Sequence, residues 1–263
     1  MAFTLAHPSA AIPLARPLGR WGVLSALIIG SVAPDLWYFL PFDVDRTDSH
    51  SVAGLFWFCL PVSLTLYVVF HALLKRPALG LLPASLAKRL AGFTVTDRLL
   101  PAVPWAAVMV SVLAGATTHL VWDAFTHYNG GAVASWPALR APLLSIGSYD
   151  LRVFTVLQYA STLVGIVLLC IWLGRALKRA PVEPLRLPIR FSFRARLLIL
   201  AGLLAAAAWG GASGLWHAPS AADSLVAARV MVRSAIGGAG SGFAVAVLAY
   251  GLLWQLWAWR ARR

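Results

Sequence analysis

The sequence has few charged residues, very few acidic ones and only two cysteines. Charged residues make up 12% of its 263 positions, whereas a typical soluble domain has about 25%. Hydrophobic residues make up 60% and the mean hydropathy is +0.78, so the composition excludes an ordinary soluble protein. No long polar linker separates the apolar stretches. We therefore predict a single integral membrane domain over residues 1–263.

The two cysteines do not indicate redox or metal chemistry. Cys59 and Cys170 both lie inside apolar runs, and their spacing fits neither a redox pair nor a thiolate metal site. Free cysteines in such positions behave as small apolar side chains.

Six apolar segments are long enough, or nearly so, to cross a bilayer as helices, which takes about 20 residues. They are Trp21–Leu40, Val52–Leu74, Leu99–Phe125, Val153–Leu173, Leu197–Trp216 and Ala235–Trp257. Pro34 predicts that the first segment ends or kinks near Ala33, because the residue before a proline leaves the helical region. The predicted fold is an all-α polytopic membrane bundle of about six hydrophobic segments with a short N-terminal helical arm. Residues 1–151 carry the polar motifs, and residues 152–263 add three further hydrophobic helices.

The net charge of +13 would suggest a nucleic-acid partner in a soluble protein, but here the basic residues follow a membrane topology. With a cytoplasmic N-terminus, 17 of the 22 Lys and Arg residues fall in the cytoplasmic ranges 16–20, 75–98, 175–196 and 260–263. This is the positive-inside pattern. It predicts a multi-pass protein of the inner (cytoplasmic) membrane with cytoplasmic N- and C-terminal regions. The expected partners are membrane lipids and not nucleic acid.

Histidine and aspartate residues occur in or beside the apolar runs, where a charge costs at least about 2.5 kcal/mol and is rarely found without a partner. The candidates are His7 in FTLAHPSA, Asp35 in GSVAPDLWYF, His50 in DSHS, and His119, Asp123 and His127 in THLVWDAFTH. Two isolated histidines, His71 and His217, are expected to be packing residues. The acidic run Asp43, Asp45 and Asp48 is expected to be a solvated loop.

The last three candidates are spaced i, i+4 and i+8, so they project from one face of a single helix. Neighbours rise by about 6 Å, which separates His119 from His127 by about 12 Å. That is too far for both to bind one zinc ion at distances of about 2 Å. The spacing fits one metal at His119 and Asp123 with His127 behind it, or two metals bridged by Asp123.

The predicted topology brings the other candidates to the same extracytoplasmic end. Asp35 ends the first segment there, and His50 precedes the second segment. His7 reaches this end only if Pro8–Pro17 forms a short helix that turns back at Leu18–Gly19–Arg20. His7 and Asp35 would then lie within about 6 Å in depth. Such an inserted arm is tolerated where protein buries it.

These residues also carry a resemblance to known families. The runs FTLAHPSAAIPL, LSALIIGSVAPDLWYFLP, DSHSVAGLFWFCLP and GATTHLVWDAFTH resemble a bacterial membrane-protein family called domain of unknown function 4184. The match covers most of the chain, and the family name implies no activity. The order His, Pro-Asp, His and His-x-x-x-Asp is more distantly similar to predicted membrane-bound metal-dependent hydrolases. It is also similar to the zinc-dependent phospholipase C and single-strand nuclease superfamily, in which such residues bind zinc ions that cleave phosphoesters.

The distant resemblance implies a divalent metal, zinc above others. The implied metal ligands are His7, Asp35, His50, His119 and Asp123, with His127 as a ligand of a second metal. We predict that Asp123 and Asp35 are also the catalytic carboxylates. A further downstream His-x-x-x-Asp/Glu pair of that superfamily has no counterpart here, since Asp150 has no histidine four residues before it. The resemblance therefore implies a one- or two-metal site, or an inactive relic of one.

We predict a metal-dependent hydrolase acting on a phosphoester or lipid at the extracytoplasmic face. The alternative is a non-enzymatic membrane protein, such as a permease, an assembly factor or a structural-metal protein, that uses the same polar cluster.

Overall fold

The computed structural model describes residues 4–39, 44–91, 102–146, 149–182, 184, 187, 191–219 and 224–261. It confirms the all-α membrane class. Within the described residues, five helices are long and apolar enough to span a bilayer: Val52–Leu81, Trp105–Ser135, Val153–Arg179, Phe193–Trp216 and Val226–Arg260. The first predicted segment forms a shorter apolar helix, Leu24–Phe39. Of the segment ends and the acidic run named above, Leu40, Asp43 and Leu99 lie outside the described residues.

In chain order the α-helices are α1 Pro8–Ala11, α2 Leu24–Val32, α3 Arg46–Ser49, α4 Val52–Gly54, α5 Leu60–Val68, α6 Lys75–Leu81, α7 Ala84–Ala91, α8 Trp105–Thr126, α9 Gly131–Ser135, α10 Pro137–Arg140, α11 Val153–Arg179, α12 Phe193–Trp216 and α13 Ser224–Arg260. The 3₁₀ turns cover Thr4–Ala6, Ile12–Ala15, Gly19–Trp21 and Ala33–Phe39. Two π-helical turns, Leu55–Cys59 and Val69–Leu74, join α4, α5 and α6 into one continuous helix. An antiparallel hairpin of β1 (Pro142–Ile146) and β2 (Tyr149–Arg152) precedes α11, and the sequence analysis did not predict it.

The chain divides into two compact units. The first contains Met1–Trp37, Phe42–Tyr67 and Ala102–Lys178, and the second contains Tyr38–Pro41, Val68–Pro101 and Arg179–Arg263. All six predicted metal ligands lie in the first unit. The single-domain organisation stays a prediction.

The N-terminal arm of the first unit folds back against α2 and α8. Its turn falls at the predicted Leu18–Gly19–Arg20, where Gly19 has φ +54°, a conformation that glycine adopts without steric cost. The predicted helix over Pro8–Pro17 is wrong in detail. The α-helical part ends at Ala11 and a 3₁₀ stretch follows, because the prolines in this arm lack the amide donors that a continuing α-helix needs.

Helices α2 and α8 cross in backbone contact. A Cβ on Gly115 would lie 2.2 Å from the carbonyl oxygen of Leu27, so only glycine permits this approach. Ser111 bonds the backbone between the 3₁₀ turn Gly19–Trp21 and the start of α2, where the helical hydrogen bonds are interrupted. Its hydroxyl accepts from the amide of Val23 at 2.8 Å and donates to the carbonyl of Trp21 at 2.7 Å. The polar groups that this interruption exposes are thereby satisfied, as an apolar environment requires.

The second unit is built on the contact between α12 and α13. A Cβ on Gly210 would lie 2.2 Å from the carbonyl oxygen of Gly238, so small residues set this packing, as is common between membrane helices. The side-chain amide of Gln255 donates to the carbonyl of Ala72 at 3.0 Å. This bond satisfies a backbone group in a π-helical turn, where the regular hydrogen-bond ladder is interrupted.

Candidate metal centre

The six predicted ligands converge in the first unit, with the Asp123 carboxylate at their centre. Its Oδ1 lies 3.7 Å from His7 Nε2 and 3.1 Å from His127 Nδ1. Its Oδ2 lies 3.3 Å from His50 Nε2 and 3.6 Å from His119 Nε2. The second carboxylate, Asp35, lies 3.3 Å from His50 Nε2 and 3.8 Å from His119 Nε2. Four imidazoles and two carboxylates therefore share one small volume.

Distant parts of the sequence supply these side chains. His119 and Asp123 stand one turn apart on α8, while Asp35 lies on the 3₁₀ turn that continues α2. His7 precedes α1 in the arm, and His50 ends α3. His119, His7 and Asp123 are buried, with exposed fractions of 0%, 1% and 5%. The arm and the close crossing of α2 and α8 thus enclose the centre.

His127 does not continue the α8 helix, so the prediction of three ligands on one helical face is wrong. The helix ends at Thr126, and His127 has an extended backbone with φ −119° and ψ 146°. The amide of Gly130 donates to the carbonyl of His127 at 2.8 Å, which fixes a turn directly after the helix. Because of this turn, the His127 ring folds back toward Asp123 instead of projecting a further turn along the helix.

Neighbouring acceptors fix the neutral tautomers of two imidazoles. Nδ1 of His119 lies 2.8 Å from the carbonyl oxygen of Ser31, which can only accept, so the proton is on Nδ1. Nδ1 of His50 lies 2.9 Å from the Ser49 hydroxyl. That hydroxyl donates to the carbonyl of Arg46, so it accepts from His50. In both rings, Nε2 is therefore the nitrogen that faces the carboxylates.

This arrangement leaves buried polar atoms without hydrogen-bond partners: His7 Nδ1, His50 Nε2, His119 Nε2 and Asp123 Oδ1. Each such atom costs about 1–3 kcal/mol, and imidazole lone pairs facing carboxylate oxygens repel each other. A cation between the rings and the carboxylates would satisfy His50 Nε2, His119 Nε2 and Asp123 Oδ1 and would remove this repulsion. Two sets have ligand atoms that all lie within 4.8 Å of one another, namely His7 with His119 and Asp123, and Asp35 with His50 and His119. The donor set therefore fits a divalent metal.

The pKa values of the two imidazoles outside the spanning helices move in opposite directions. Burial, with a contribution from the neighbouring His119, lowers the pKa of His7 from 6.5 to about 3, so His7 is neutral at physiological pH. Burial alone would also lower the pKa of His50, but Asp123 and Asp35 outweigh it and raise that pKa above 6.5. A cation binding at His50 must replace this proton, because imidazole binds metals through its neutral form.

The comparison with known families agrees with the sequence motifs. A family model described as Domain of unknown function (DUF4184) matches residues 1–252. The chain belongs to the DUF4184 family. No curated protein and no solved structure matches it. The family description assigns no activity, so the function of this DUF4184 protein must be argued from its site.

Two residues that the sequence analysis missed also reach the centre of this DUF4184 protein. Nη2 of Arg46 lies 2.6 Å from Asp123 Oδ2, and its side chain is 35% exposed. The hydroxyl of Thr4 donates to Asp35 Oδ2 at 2.6 Å. Arg46 begins the single turn of α3 that ends at His50. The sequence did indicate Arg46, because this residue lies outside the cytoplasmic basic ranges and four residues before the candidate ligand His50.

The remaining polar residues of the sequence analysis lie elsewhere. His71 lies 3.5 Å from the amino group of Lys75, and Nδ1 of His217 lies 2.9 Å from the carbonyl of Ser213. Asp150 is on the β hairpin, where it accepts from Ser145 and pairs with Arg152. The expectation that the two histidines serve packing stays a prediction, and His217 is exposed.

Proposed function

We propose that this DUF4184 protein is a metal-dependent phosphoester hydrolase with its centre at the extracytoplasmic end of the membrane helices. One observation carries the proposal. The Nε2 atoms of His50 and His119 face the carboxylates of Asp35 and Asp123, in a cluster where buried polar atoms lack partners. Imidazole and carboxylate are ordinary zinc ligands, and zinc sites of this composition hydrolyse esters.

The relation between two rings supports a pair of metal ions rather than one. The His7 and His119 rings are stacked, with centroids 3.8 Å apart and planes inclined by 15°. An imidazole lone pair lies in the plane of its ring, so these nearly parallel rings would have to turn before both could bind one ion. Two ions need no such turn: His7 would hold one and His119 the other, with Asp123 serving both. This favours the two-metal arrangement over the single metal, the other arrangement that the spacing allowed.

The hydrolytic roles divide between the metal and the protein. Bound zinc would supply positive charge to the phosphoryl oxygens and lower the pKa of water at the centre. Asp35 has the more exposed carboxylate, 14% against 7% for Asp123, and is placed to accept the proton of the attacking water. Water adds to phosphorus, the P–O ester bond breaks, and the leaving alkoxide takes up the proton that Asp35 accepted. Asp123 would help to hold the metal and would balance its positive charge.

Arg46 would then recognise the substrate. Its guanidinium lies against Asp123 Oδ2, an oxygen that a metal ion would engage. A guanidinium released from that contact presents a planar fork that matches phosphate oxygens, which the point charge of lysine does not. Its partial exposure places it at the mouth of the centre, where a phosphoryl group would enter.

The proposal is tested on protein purified in detergent without chelator. We expect bound zinc, and phosphate release from ethyl phosphate that chelation abolishes and zinc restores. Arg46→Lys should raise KM for ethyl phosphate by about tenfold or more, because the fork is lost while the charge remains, with zinc content as in wild type. Bound zinc with no hydrolysis would instead support the structural-metal alternative. Absence of zinc would contradict the proposal.

The orientation in the inner membrane is a further proposal, supported by the distribution of the basic residues. Reporter fusions should read cytoplasmic after Arg89, Arg190 and Arg263, and extracytoplasmic after Asp45, Tyr149 and Asp223. Three of these junctions, Arg190, Asp223 and Arg263, lie outside the described residues. An inverted pattern would place the metal centre at the cytoplasmic face and contradict this part of the proposal.

A further inference from the structure

An apolar groove of about 730 Å³ lies beside the metal centre in the first unit. The arm, α8 and α11 form its walls, with Ala10 and Leu14 on the arm and Leu157 and Ser161 on α11. The lining residues of α8 extend from Ala114 to Thr126. Both α8 and α11 belong to helices that can span a bilayer, so the groove lies at the depth of lipid hydrocarbon.

The hydroxyl groups that line the groove are already satisfied within their own helices. Thr117, Thr118 and Thr126 donate to the carbonyls of Leu113, Gly115 and Trp122 at 2.8, 2.7 and 3.0 Å. Ser161 donates to the carbonyl of Gln158 and accepts from the indole of Trp122 at 3.1 Å. These groups therefore have no hydrogen to offer a polar ligand, and the groove favours a hydrocarbon chain.

Two residues that line the groove also contact histidines of the metal centre. Trp122 lines the groove, and its ring centroid lies 5.1 Å from that of His7. Thr126 lines the groove as well, and its hydroxyl lies 3.2 Å from Nδ1 of His127. A ligand in the groove would thus have one end at the imidazole and carboxylate cluster and the other near the middle of α8.

The length of the groove matches one leaflet of a bilayer. Ala114 and Phe125 are eleven residues apart on α8, or about 16 Å at 1.5 Å per residue. Half of a hydrocarbon core of about 30 Å is about 15 Å. A lipid chain held here would keep its leaflet depth while its headgroup reached the end of α8.

We infer that this groove holds the acyl chain of a membrane lipid phosphate whose phosphoryl group lies at the metal centre. This inference rests on the proposed function and narrows its substrate to a phosphoester with one long hydrocarbon chain. The groove selects substrates by the length of their hydrocarbon chain, and the metal centre hydrolyses the phosphoester.

Photo-cross-linking and hydrolysis together test the inference. The probe is hexadecyl phosphate with a diazirine in the middle of its chain, added to the protein in lipid nanodiscs. Thr117→Trp fills the groove from an exposed lining position. Val110→Trp is the matched control, because Val110 is also β-branched, lies on the same helix and is 40% exposed, yet is not among the residues that line the groove.

In wild type, the label should map to peptides that contain Ala114–Phe125 or Leu157–Ser161. Thr117→Trp should reduce this labelling at least tenfold and lower the kcat/KM of hexadecyl phosphate relative to ethyl phosphate at least tenfold, whereas Val110→Trp should do neither. Labelling that is equal in both variants would overturn the inference that the groove holds the chain, even if ethyl phosphate is hydrolysed. Groove labelling without any hydrolysis would support the lipid site while contradicting the proposed function.

Discussion

Asp123→Asn should leave the purified protein with almost no metal, the largest effect we expect from a single side chain in the centre. The substitution keeps size and shape but removes the negative charge that meets four imidazoles within 3.7 Å. Partners behind a metal ligand typically contribute about 10- to 100-fold to affinity. A bridging ligand contributes to two ions, so we expect a loss of more than about 100-fold. The measurement is zinc per chain, together with zinc affinity by chelator competition.

Two further variants test whether the loss of zinc is specific to Asp123. Asp150→Asn removes a carboxylate that contacts Ser145 and Arg152 on the β hairpin, and it should retain zinc at the wild-type level. His127→Gln should lower zinc affinity by about 10- to 100-fold if His127 supports Asp123 from behind. Unchanged zinc content in Asp123→Asn would contradict both the bridge and the hydrolase.

The buried pairing of Asp123 also predicts a cost to folding. Removing one partner from a buried ion pair typically costs about 3–5 kcal/mol, because the other charge stays without compensation. In metal-free protein, the partner left behind is the guanidinium of Arg46. Its partial exposure should reduce the penalty, since water can reach it. Comparing metal-free wild type with metal-free Asp123→Asn separates this cost from the loss of zinc.

Local sequence patterns predicted most of the fold because each membrane helix is a local apolar run. The turn at Gly19 and the end of α2 before Pro34 were also predictable, since glycine and proline restrict the backbone at those positions. The approach of His7 to the centre followed from that turn. The helix boundaries were less accurate. For example, α13 begins at Ser224 and ends at Arg260, beyond the predicted Ala235–Trp257 at both ends.

The parts of the centre that sequence reasoning missed depend on tertiary contacts or on a turn. Arg46 belongs to an acidic run that was interpreted as a solvated loop. Only the position of α3 beside α8 turns this residue into a partner of Asp123. The predicted segment ended at Phe125, one residue before the observed end of α8 at Thr126, and Asn129, Gly130 and Gly131 favour a turn there. Placing His127 on the same helical face extended the helix past that end.

The backbone crossing of α2 and α8 should be as critical to the centre as its ligands. On Gly115, a Cβ would lie 2.2 Å from the carbonyl oxygen of Leu27 and 2.9 Å from the amide nitrogen of Ser31. These are backbone atoms that cannot rotate away, so α2 must move. Ser31 also provides the carbonyl that orients His119, and Asp35 lies on the 3₁₀ turn that continues α2. Displacing α2 therefore disturbs two ligands at once.

Gly115→Ala should consequently lower the free energy of unfolding by about 2–3 kcal/mol or more, as overpacking does in tight interiors, and should weaken zinc binding in the folded protein. Gly174→Ala is the matched control, because a Cβ at that α11 position meets nothing within 4 Å. There the substitution should stabilise by about 0.5–1 kcal/mol, since alanine restricts the unfolded chain. The measurements are unfolding in detergent and zinc affinity for each variant. Because the two changes are chemically identical, opposite signs would isolate the helix crossing as the cause. Equal shifts would show that α2 and α8 do not approach this closely.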